Sequence, residues 1–395
     1  MQSVEDASKT VATRIAKLPI ERIPLQDARS RFLAENIVAT NLLPAFDNSA
    51  MDGFAARSAE LPATLPIVAK VAAGQVLTDT IPERVAIRIM TGAPVPHGLD
   101  TVVIQEDAQI DGSQVTLPAS PVGDNIRKAG EDINAGDIAV RAGERLNAAE
   151  LGLLAALGVR EVPVARAPRV ALIATGDELV SAGQIVGPGQ IIDSSAHTLT
   201  ALIPDCGGIA TYIGIAKDDP ITMAALIASA MDHDVVITTG GVSVGDRDHV
   251  RAALKSAGVE LELWKVAMKP GKPFSFGMNG RVPVFGLPGN PVSTFVAFEL
   301  FVRPALLAMQ GAANTARPRA PVHLIRGYRK QAGRTHYVRA KVVRNGEHLI
   351  AHPHPKQGSA ILSSLVGCNA LVELPAESTE ILPNTKVPAI LLEAV

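Results

Sequence analysis

The chain has 395 residues, which is too many for one hydrophobic core, and ordinary domain sizes predict about two to four folded units. Hydrophobic residues make up 47% of it and charged residues 19%, a balance that is typical of folded globular domains and excludes extended disorder. The 37 basic and 39 acidic residues leave a formal charge of −2, which excludes a global basic field for nucleic acid or an anionic membrane. We therefore expect any anionic ligand to be held by a local site.

The cellular compartment is predicted from the cysteines and the apolar stretches. Cys206 and Cys368 lie far apart without a Cys-x-x-Cys pattern, which fits a reducing compartment and disfavours a structural zinc site. Charged side chains interrupt the first 17 residues, so no secretory signal is predicted. The most apolar late stretch, 282–302, contains Gly-Leu-Pro-Gly-Asn-Pro and Glu299, which disfavours a membrane span. We predict a soluble cytoplasmic protein with no nucleic-acid and no membrane partner.

The N-terminal part of the chain combines helical and β-rich patterns. Apolar residues recur at helical spacing after Ser3, a second short helix is predicted over 25–35, and a third runs from Asn147 to Leu157 and stops at Gly158. Between 44 and about 130 the pattern changes to short apolar runs separated by Gly, Pro and Asp. Strands are predicted there at 67–71, 85–89 and 101–104. This segment is therefore expected to be a small β-rich unit.

From about 168 to 312 short apolar runs alternate with helical patterns. Strands are predicted at 170–174, 212–216, 235–238 and 282–285, and helices at 198–203, 223–230, 249–256 and 292–309. This alternation predicts a parallel sheet with helices on both faces. Beyond 318 strands are predicted at 322–325, 337–343, 370–374 and 387–392, as in a small antiparallel domain.

Acidic or glycine-rich loops follow every predicted strand of the 168–312 segment. They are Thr-Gly-Asp-Glu at 175–178, Asp218 with Asp219, Thr-Gly-Gly-Val-Ser-Val-Gly-Asp-Arg-Asp at 239–248, and Gly-Leu-Pro-Gly-Asn-Pro at 286–291. Ligands of open α/β sheets bind outside the carboxyl ends of parallel strands, so these loops are expected to converge on one site. The glycines let the backbone approach a ligand, and the following helix N-termini suit phosphate.

Charged residues in these loops indicate what that site would bind. Glu178, Asp218 and Asp248 are oxygen ligands of the kind that Mg²⁺ takes together with substrate phosphates. Lys269 and Lys272, in Lys-Pro-Gly-Lys-Pro at 269–273, are predicted to face an anion from a stiff turn. Each feature alone also fits an ordinary turn or cap, so the prediction rests on their convergence.

Taken together, these strings closely resemble the molybdopterin molybdenumtransferase (MoeA) family, to which the C-terminal domain of gephyrin is related. The matching strings lie at 47–53, 90–94, 125–132, 175–178, 240–245, 269–273, 286–291 and 357–359. They cover nearly the whole chain in order. The resemblance implies a multidomain α/β protein, in which a parallel-sheet molybdopterin-binding domain is flanked by an N-terminal helical and β region, with an inserted β-rich lobe, and by a small C-terminal β-barrel-like domain.

The resemblance also implies domain limits, partners and a reaction. The N-terminal linker domain would comprise residues 1–43 and 131–166, the inserted lobe 44–130, the molybdopterin-binding domain 167–314 and the C-terminal domain 315–395. The family forms homodimers whose active site is shared between protomers. The implied reaction takes adenylylated molybdopterin and molybdate, with Mg²⁺, to molybdenum cofactor and AMP.

Site residues are carried over position by position from the resemblance. The implied catalytic residues are Asp52, Asp132, Glu178, Asp218, Asp248, Lys269 and Lys272, of which Glu178, Asp218 and Asp248 would bind the metal. The implied substrate-binding residues are Thr91, Asp193, Gly240, Gly241, Ser243, Gly289, Asn290 and Pro291. Two departures from the family pattern are Ser195, where Asn is usual, and Phe54, where Tyr is commoner.

Two other functions remain open from the sequence. A molybdopterin adenylyltransferase would use the same α/β fold, although it would not need the strings at 47–53 and 125–132. A non-catalytic scaffold that binds a peptide with its C-terminal domain would not need Glu178 or Asp248. The choice between molybdate and tungstate, and the group that activates a nucleophile, are not readable from the residues.

Overall fold

The computed structural model describes residues 1–241 and 249–395 of the chain. The α-helices in these residues are Val4–Arg14, Ala148–Ala156, Ser194–Asp205, Pro220–Ser229, His249–Ser256, Pro291–Ala297 and Arg303–Met309. The last two are joined by a π-helical turn, Phe298–Val302. Short 3-10 turns lie at Leu25–Asp27, Ser58–Glu60, Gln105–Asp107 and Leu362–Leu365.

The first helix begins where the sequence predicts. The Ser3 hydroxyl accepts a hydrogen bond from the Asp6 amide at 3.0 Å and caps the helix. Its apolar face, formed by Val4, Ala7 and Val11, packs in the same core as the central sheet described below. The first helix thus lies with the central part of the chain and not with residues 131–166.

The prediction of a second helix over 25–35 is wrong. Only the turn Leu25–Asp27 is helical, and Ser30 takes a φ of 66°, which ends any helical path. The amide of Leu33 then donates to the carbonyl of Glu144, so the backbone pairs with a distant segment. Long-range pairing has overridden the local helical pattern.

Residues 20–43 and 131–166 pair with each other. Strand Ile20–Pro24 is antiparallel to Glu161–Ala165, and Ile37–Val38 is antiparallel to Ile138–Val140. The helix predicted from Asn147 is present as Ala148–Ala156, with a capping box in which Asn147 and Glu150 bond reciprocally. Their shared core contains Ala28, Leu33, Val140, Leu146, Leu154, Val162 and Val164.

The segment 44–130, which lies between residues 20–43 and 131–166 in the sequence, forms a six-stranded sheet. Its strand order is Thr101–Ile104, Gly53–Ala56, Ala86–Ile89, Ala63–Val71, Gln114–Leu117 and Gln109–Asp111. Apolar side chains cover both faces, with Phe54 in one cluster and Ile87 in the other. Two-residue strands Asn48–Ser49 and Ile126–Arg127 pair at one side of this β-rich lobe.

The central sheet consists of β1 (Arg169–Thr175), β2 (Ile209–Ala216), β3 (Val235–Thr239), β4 (Glu260–Trp264), β5 (Ser275–Asn279) and β6 (Val282–Leu287). The strand order is β2-β1-β3-β6-β5-β4. Strands β2, β1, β3 and β6 are parallel, as predicted, and β5 is antiparallel to both β6 and β4. The sheet is therefore mixed at one edge, where no strands were predicted from the sequence.

Helices cover both faces of the central sheet, as the alternation predicts. One face packs against the helices Ser194–Asp205 and Pro291–Met309, and the other against Pro220–Ser229 and His249–Ser256. The stretch Pro291–Met309 is long and apolar enough to cross a membrane, but 78% of its most apolar window is buried inside the protein. Its side chains serve the core, because Val296, Phe298 and Leu306 are all fully buried.

The C-terminal strands close into a ring. In ring order they are Thr335–Asn345, His348–Pro353, Arg319–Leu324, Lys386–Leu391 and Ala370–Leu374, and the last pairs back with the first. One pairing, between Arg319–Leu324 and His348–Pro353, is parallel, whereas the sequence predicts antiparallel pairing throughout. Outside the ring, Met268–Lys269 pairs with Thr335–His336 and joins the ring to the central part of the chain.

Candidate functional site

A cleft of about 810 Å³ lies between the carboxyl ends of the parallel strands and the C-terminal ring. Its lining includes ten predicted site residues, namely Glu178, Asp193, Asp218, Gly240, Gly241, Lys269, Lys272, Gly289, Asn290 and Pro291. The predicted convergence of loops at one sheet edge is therefore found in the structure. Segments that connect the ring strands add Tyr328, Arg334, Gln357, Gly358 and Ser359, of which only the 357–359 string was noted in the sequence.

The acidic side of the cleft is formed by Glu178 and Asp218. Glu178 follows β1, and its carboxylate folds back over Gly176, where a Cβ atom would lie 2.5 Å from Oε2. Asp218 follows β2, and its amide donates to Asp177 Oδ1 at 3.1 Å. The parallel pairing of β1 with β2 brings these two loops side by side. Two oxygen donors that reach the cleft thus come from neighbouring strand ends.

Close backbone packing explains the two glycines after β3. Gly240 has a φ of 90°, and a Cβ atom there would lie 2.4 Å from the carbonyl oxygen of Thr175. At Gly241, with a φ of 66°, a Cβ atom would overlap the side chain of Val250. Gly289 approaches Gly240 in turn, because its Cβ position is only 3.3 Å from the Gly240 Cα. These glycines are required for loop packing, and the same packing exposes backbone to the cleft.

Asp193 is already bonded within the protein. It caps the helix Ser194–Asp205 by accepting from the Ala196 amide at 3.1 Å, and its other oxygen accepts from the Tyr212 hydroxyl at 3.1 Å. Burial, followed by the neighbouring Asp193 charge, raises the pKa of Tyr212. Ser195, which stands where the family usually has Asn, is 5% exposed and also lines the cleft. The structure thus gives Asp193 a structural role beside any contact with a ligand.

The basic side of the cleft is the Lys-Pro-Gly-Lys-Pro turn between β4 and β5. The carbonyl of Lys272 accepts from the Val266 amide at 3.1 Å, which closes the turn. Lys269 is exposed, and its backbone pairs with His336 of the ring. Neither lysine forms an ion pair with a carboxylate in the described parts of the chain, 1–241 and 249–395. Both charges are available to an anionic ligand.

The Gln-Gly-Ser string reaches the cleft because a buried arginine holds it. Arg339, 1% exposed, donates to the carbonyl of Gly358 and to the Ser364 hydroxyl, both at 3.1 Å. Gln357 accepts from the Arg339 amide and donates to its carbonyl, and the Ser359 carbonyl accepts from the Val292 amide. Burial lowers the pKa of Arg339. Arg339 was not among the predicted site residues, although a charge within the apolar run 337–343, which also contains Lys341, was a usable signal.

The predicted N-terminal site residues form a separate cluster. Asp52 Oδ1 accepts from both the amide and the hydroxyl of Thr91 at 2.7 Å, and these bonds lower the pKa of Asp52. Asp47 is bonded to the Lys128 amine at 2.9 Å, and Asp132 is exposed nearby along the chain. The strings 47–53, 90–94 and 125–132 converge through strand pairing and turn bonds. Asp52, Thr91 and Asp132 do not line the cleft of their own chain.

Two predicted residues, Ser243 and Asp248, lie outside the described residues. Within 1–241 and 249–395 no group of three His, Cys, Asp or Glu side chains is placed to hold a metal ion. The described members of the predicted metal set are therefore Glu178 and Asp218. Two carboxylates suit Mg²⁺, which commonly takes one or two of them and completes its shell with water and phosphate oxygens.

Family models match three successive parts of the chain. The model of the MoeA N-terminal region (domain I and II) matches residues 2–158, and that of a probable molybdopterin binding domain matches 171–308. The model of the MoeA C-terminal region (domain IV) matches 321–392. The first and last parts therefore match MoeA regions, and the part between them matches a molybdopterin-binding domain.

Individual proteins agree with these matches over whole chains. Molybdopterin molybdenumtransferase 2 of Mycobacterium tuberculosis is 36% identical over 402 residues, which cover 98% of each chain. The molybdopterin molybdenumtransferase of Haemophilus influenzae is 36% identical over 90% of each chain. A solved structure, the molybdopterin biosynthesis moeA protein of Pyrococcus horikoshii, superposes with a TM-score of 0.87 at 30% identity, covering 99% of this chain and 100% of that one.

Proposed function

This chain belongs to the molybdopterin molybdenumtransferase (MoeA) family, and on that premise we propose that it inserts molybdenum from molybdate into adenylylated molybdopterin, releasing AMP. Membership of the family makes it a transferase of molybdenum cofactor biosynthesis. The adenylylated form of the substrate, the use of molybdate and the release of AMP are the proposal.

One observation carries the proposal: a single cleft holds two carboxylates on one side and, on the other, lysines that have no carboxylate partner among the described residues. Glu178 and Asp218 lie at the ends of β1 and β2, and Lys269 and Lys272 lie on the opposing turn. An adenylylated pterin carries an anhydride and several negative charges. Such a ligand needs cations for its oxygens and carboxylates that can hold a bridging metal ion.

We propose that Glu178 and Asp218 hold Mg²⁺, with Asp248 as the third ligand. Their oxygen donors fit this ion, and no cysteine or histidine accompanies them in the described lining of the cleft. When bound, Mg²⁺ would neutralise charge on the phosphate oxygens of the substrate. The protein's own part is to present the two carboxylates from rigid strand ends.

Lys269 and Lys272 are proposed to orient the anionic substrate and to stabilise the leaving AMP phosphate. Fixed cations that face developing negative charge favour the transition state more than free cations do, because no reorganisation is needed when the charge appears. The turn that carries them is closed by the bond between Val266 and Lys272 and attached to the ring at Lys269. Gly240, Gly241, Gly289 and Asn290 would let the substrate approach the loop backbones.

We also propose a homodimer with an active site shared between protomers. Asp52 and Thr91 form a bonded pair outside the cleft of their own chain, next to the other N-terminal strings. A two-fold dimer would allow this cluster to face the partner's cleft, with Asp132 as a further contribution. The bonds from Thr91 lower the pKa of Asp52, which favours the ionised form that could face a metal-bound substrate.

Further parts of the proposal concern the division of the chain and its location. We propose domains 1–43 with 131–166, 44–130, 167–314 and 315–395, with the exception that the helix Val4–Arg14 packs on the third. We propose a cytoplasmic location, which is supported by the free thiols of Cys206 and Cys368.

The decisive experiment measures AMP release from adenylylated molybdopterin by the full-length protein, with and without molybdate. Molybdate-dependent AMP release is expected, and it should need Mg²⁺. Synthesis of adenylylated product from molybdopterin and ATP would instead identify an adenylyltransferase. Binding of the pterin with no AMP release at any molybdate concentration would identify a scaffold and contradict the proposal.

A further inference from the structure

Tyr212 contacts the candidate site indirectly, through Asp193. It lies on β2, at the edge of the central sheet, and is not among the described residues that line the cleft. Its hydroxyl donates to Asp193 Oδ2 at 3.1 Å, and Asp193 does line the cleft. Any effect of this hydroxyl on a ligand must therefore pass through the Asp193 carboxylate.

A β-bulge directs the Tyr212 side chain. Strand β2 carries one extra residue, because Ile213 has no paired residue in β1, whereas Tyr212 and Gly214 on either side of it do. Gly214 takes a φ of 134°, which side chains other than glycine rarely allow. A bulge interrupts the regular alternation of a strand and can change the direction of the side chains beside it. Here the Tyr212 ring reaches the start of the helix Ser194–Asp205, where Asp193 is the cap.

The backbone of Asp193 is fixed beside Glu178. The amide of Asp193 donates to the carbonyl of Val180 at 2.9 Å, and the amide of Ile191 donates to the carbonyl of Glu178 at 2.8 Å. These bonds accompany a short parallel strand pairing. With the backbone held in this way, the freedom that remains to Asp193 is rotation of its side chain. The bond from Tyr212 restricts that rotation by holding one carboxylate oxygen.

The Asp193 carboxylate has acceptor positions left for a ligand. The residue is 4% exposed, and each oxygen accepts one hydrogen bond, Oδ1 from the Ala196 amide and Oδ2 from Tyr212. An ionised carboxylate has about four acceptor positions, so about two remain. No cationic side chain pairs with Asp193 within residues 1–241 and 249–395, and the helix N-terminus offsets only part of the cost of burying its charge. Hydrogen-bond donors of a ligand would offset more of that cost.

We propose that Tyr212 is a positioning residue, whose hydroxyl holds the Asp193 carboxylate so that its free acceptor positions face the N–H edge of the pterin ring. The inference rests on the proposed function, because the pterin is the part of that substrate with neighbouring N–H donors. An exocyclic amino group beside a ring N–H matches the two oxygens of a carboxylate, whereas phosphate oxygens are repelled by it. The pterin ring therefore binds at the Asp193 end of the cleft, and the phosphates face Lys269 and Lys272.

The test removes only the hydroxyl, with Tyr212→Phe in the full-length protein. Dissociation constants for molybdopterin and for AMP are measured by calorimetry. Tyr212→Phe should weaken molybdopterin binding by about threefold to tenfold, as expected for one lost hydrogen bond, and should leave AMP binding unchanged. With adenylylated molybdopterin and molybdate, KM should rise by a similar factor while kcat changes by less than about twofold, because the lost interaction is the same in the ground and transition states.

Thr211→Val is the matched control, since it removes a hydroxyl from the adjacent, exposed residue of β2, which is also outside the described lining of the cleft. It should bind both ligands as wild type does. Wild-type molybdopterin affinity of Tyr212→Phe, with normal molybdate-dependent AMP release, would overturn this inference and leave the proposed function intact. Equal weakening of molybdopterin and AMP would show a general disturbance of the cleft and would also overturn it. Absence of molybdate-dependent AMP release in the wild-type protein would instead overturn the proposed function.

A double-variant cycle tests whether Tyr212 acts through Asp193. Asp193→Asn keeps a residue that caps the helix, but it replaces one of the two acceptor oxygens by a donor and should weaken molybdopterin binding more than Tyr212→Phe does. The double variant should bind no more weakly than Asp193→Asn alone. Additive losses would show that Tyr212 acts independently of Asp193 and would overturn the positioning role. Thermal unfolding of each variant checks that the central sheet remains folded.

Discussion

Lys269 and His336 are partners in a two-residue parallel strand pairing that joins the lysine turn of the central sheet to the C-terminal ring. Lys269 faces the cleft, whereas His336 is almost fully buried, with its ring against that of Tyr328 at a centroid distance of 6.1 Å. The cleft therefore lies between two parts of the chain that are joined by the backbone and also by the hydrogen bonds of this strand pairing.

His336 should make folding stability depend on pH. Its pKa in the folded protein is about 4, below the ordinary 6.5, because burial and nearby cations disfavour the charged form. The neutral ring therefore contributes stability that is fully present above pH 6.5 and is lost as the pH falls toward 4. The loss is on the order of 3 kcal/mol for this single group. Urea unfolding at several pH values should show a flatter profile for His336→Leu than for wild type.

His348→Gln is the control for this profile, because His348 is exposed on the same ring. It should keep the wild-type slope between pH 4 and 6.5. A His336→Leu profile that is parallel to wild type would contradict the assignment of this titration to His336.

Lys272→Ala should raise the dissociation constant for the anionic pterin by about tenfold or more, since a charge-assisted contact at short range is lost. Affinity should also become less sensitive to salt as one cationic contact disappears. Arg should rescue only in part, because its planar fork is directed differently from an ammonium group. Lys341→Ala, on an exposed face of the ring, serves as control. Unchanged pterin affinity and salt dependence would make the turn merely structural.

Asp52→Ala and Glu178→Ala should complement each other when the two inactive proteins are mixed and subunits exchange. In a mixed dimer with shared sites, both lesions fall at one site and the other site is intact. Random exchange makes half of the dimers mixed, so activity should recover to about a quarter of wild type, provided that the sites work independently. Exchange is verified with a tag on one variant. No recovery after verified exchange would exclude the shared site but not the chemistry assigned to the cleft.

Glu299→Ala should strongly destabilise the protein. The Glu299 side chain is 1% exposed and accepts from Arg317 Nε and from a terminal guanidinium nitrogen, both at 2.9 Å. Removing it leaves Arg317 and the nearby Arg303 without their shared counter-charge, at a cost of about 3–5 kcal/mol. The midpoint of urea unfolding measures this loss.

Replacement of all three charges by Glu299→Leu with Arg303→Met and Arg317→Met should recover much of that stability, because no buried charge is then left alone. Glu380→Gln breaks an exposed pair with Arg329 and should leave the midpoint unchanged. A Glu299→Ala midpoint equal to that of Glu380→Gln would contradict the importance of the buried pair.

Local patterns in the sequence determined the elements whose signals lie within a few residues. The Ser3 cap starts the first helix, Asn147 with Glu150 starts another, and the apolar runs 170–174 and 235–238 became parallel strands. Because parallel strands end at one edge, the loops that carry Glu178, Asp218 and Gly240 had to meet there. The positions of Glu178 and Asp218 in the cleft could therefore be predicted from the order of strands and motifs along the sequence.

Only the tertiary structure decided how the remaining parts meet. It brought Arg334 and Ser359 across to the lysine turn, placed Asp193 as a cap bonded to Tyr212, and turned the predicted helix at 25–35 into backbone pairing with Glu144. The partners in these contacts are far apart in the sequence, from 19 residues for Asp193 and Tyr212 to more than 100 for Leu33 and Glu144. Periodicity and capping reflect interactions between residues that are close in the sequence. The long-range contacts depend instead on the burial and hydrogen bonding of the whole chain. No local pattern encodes them.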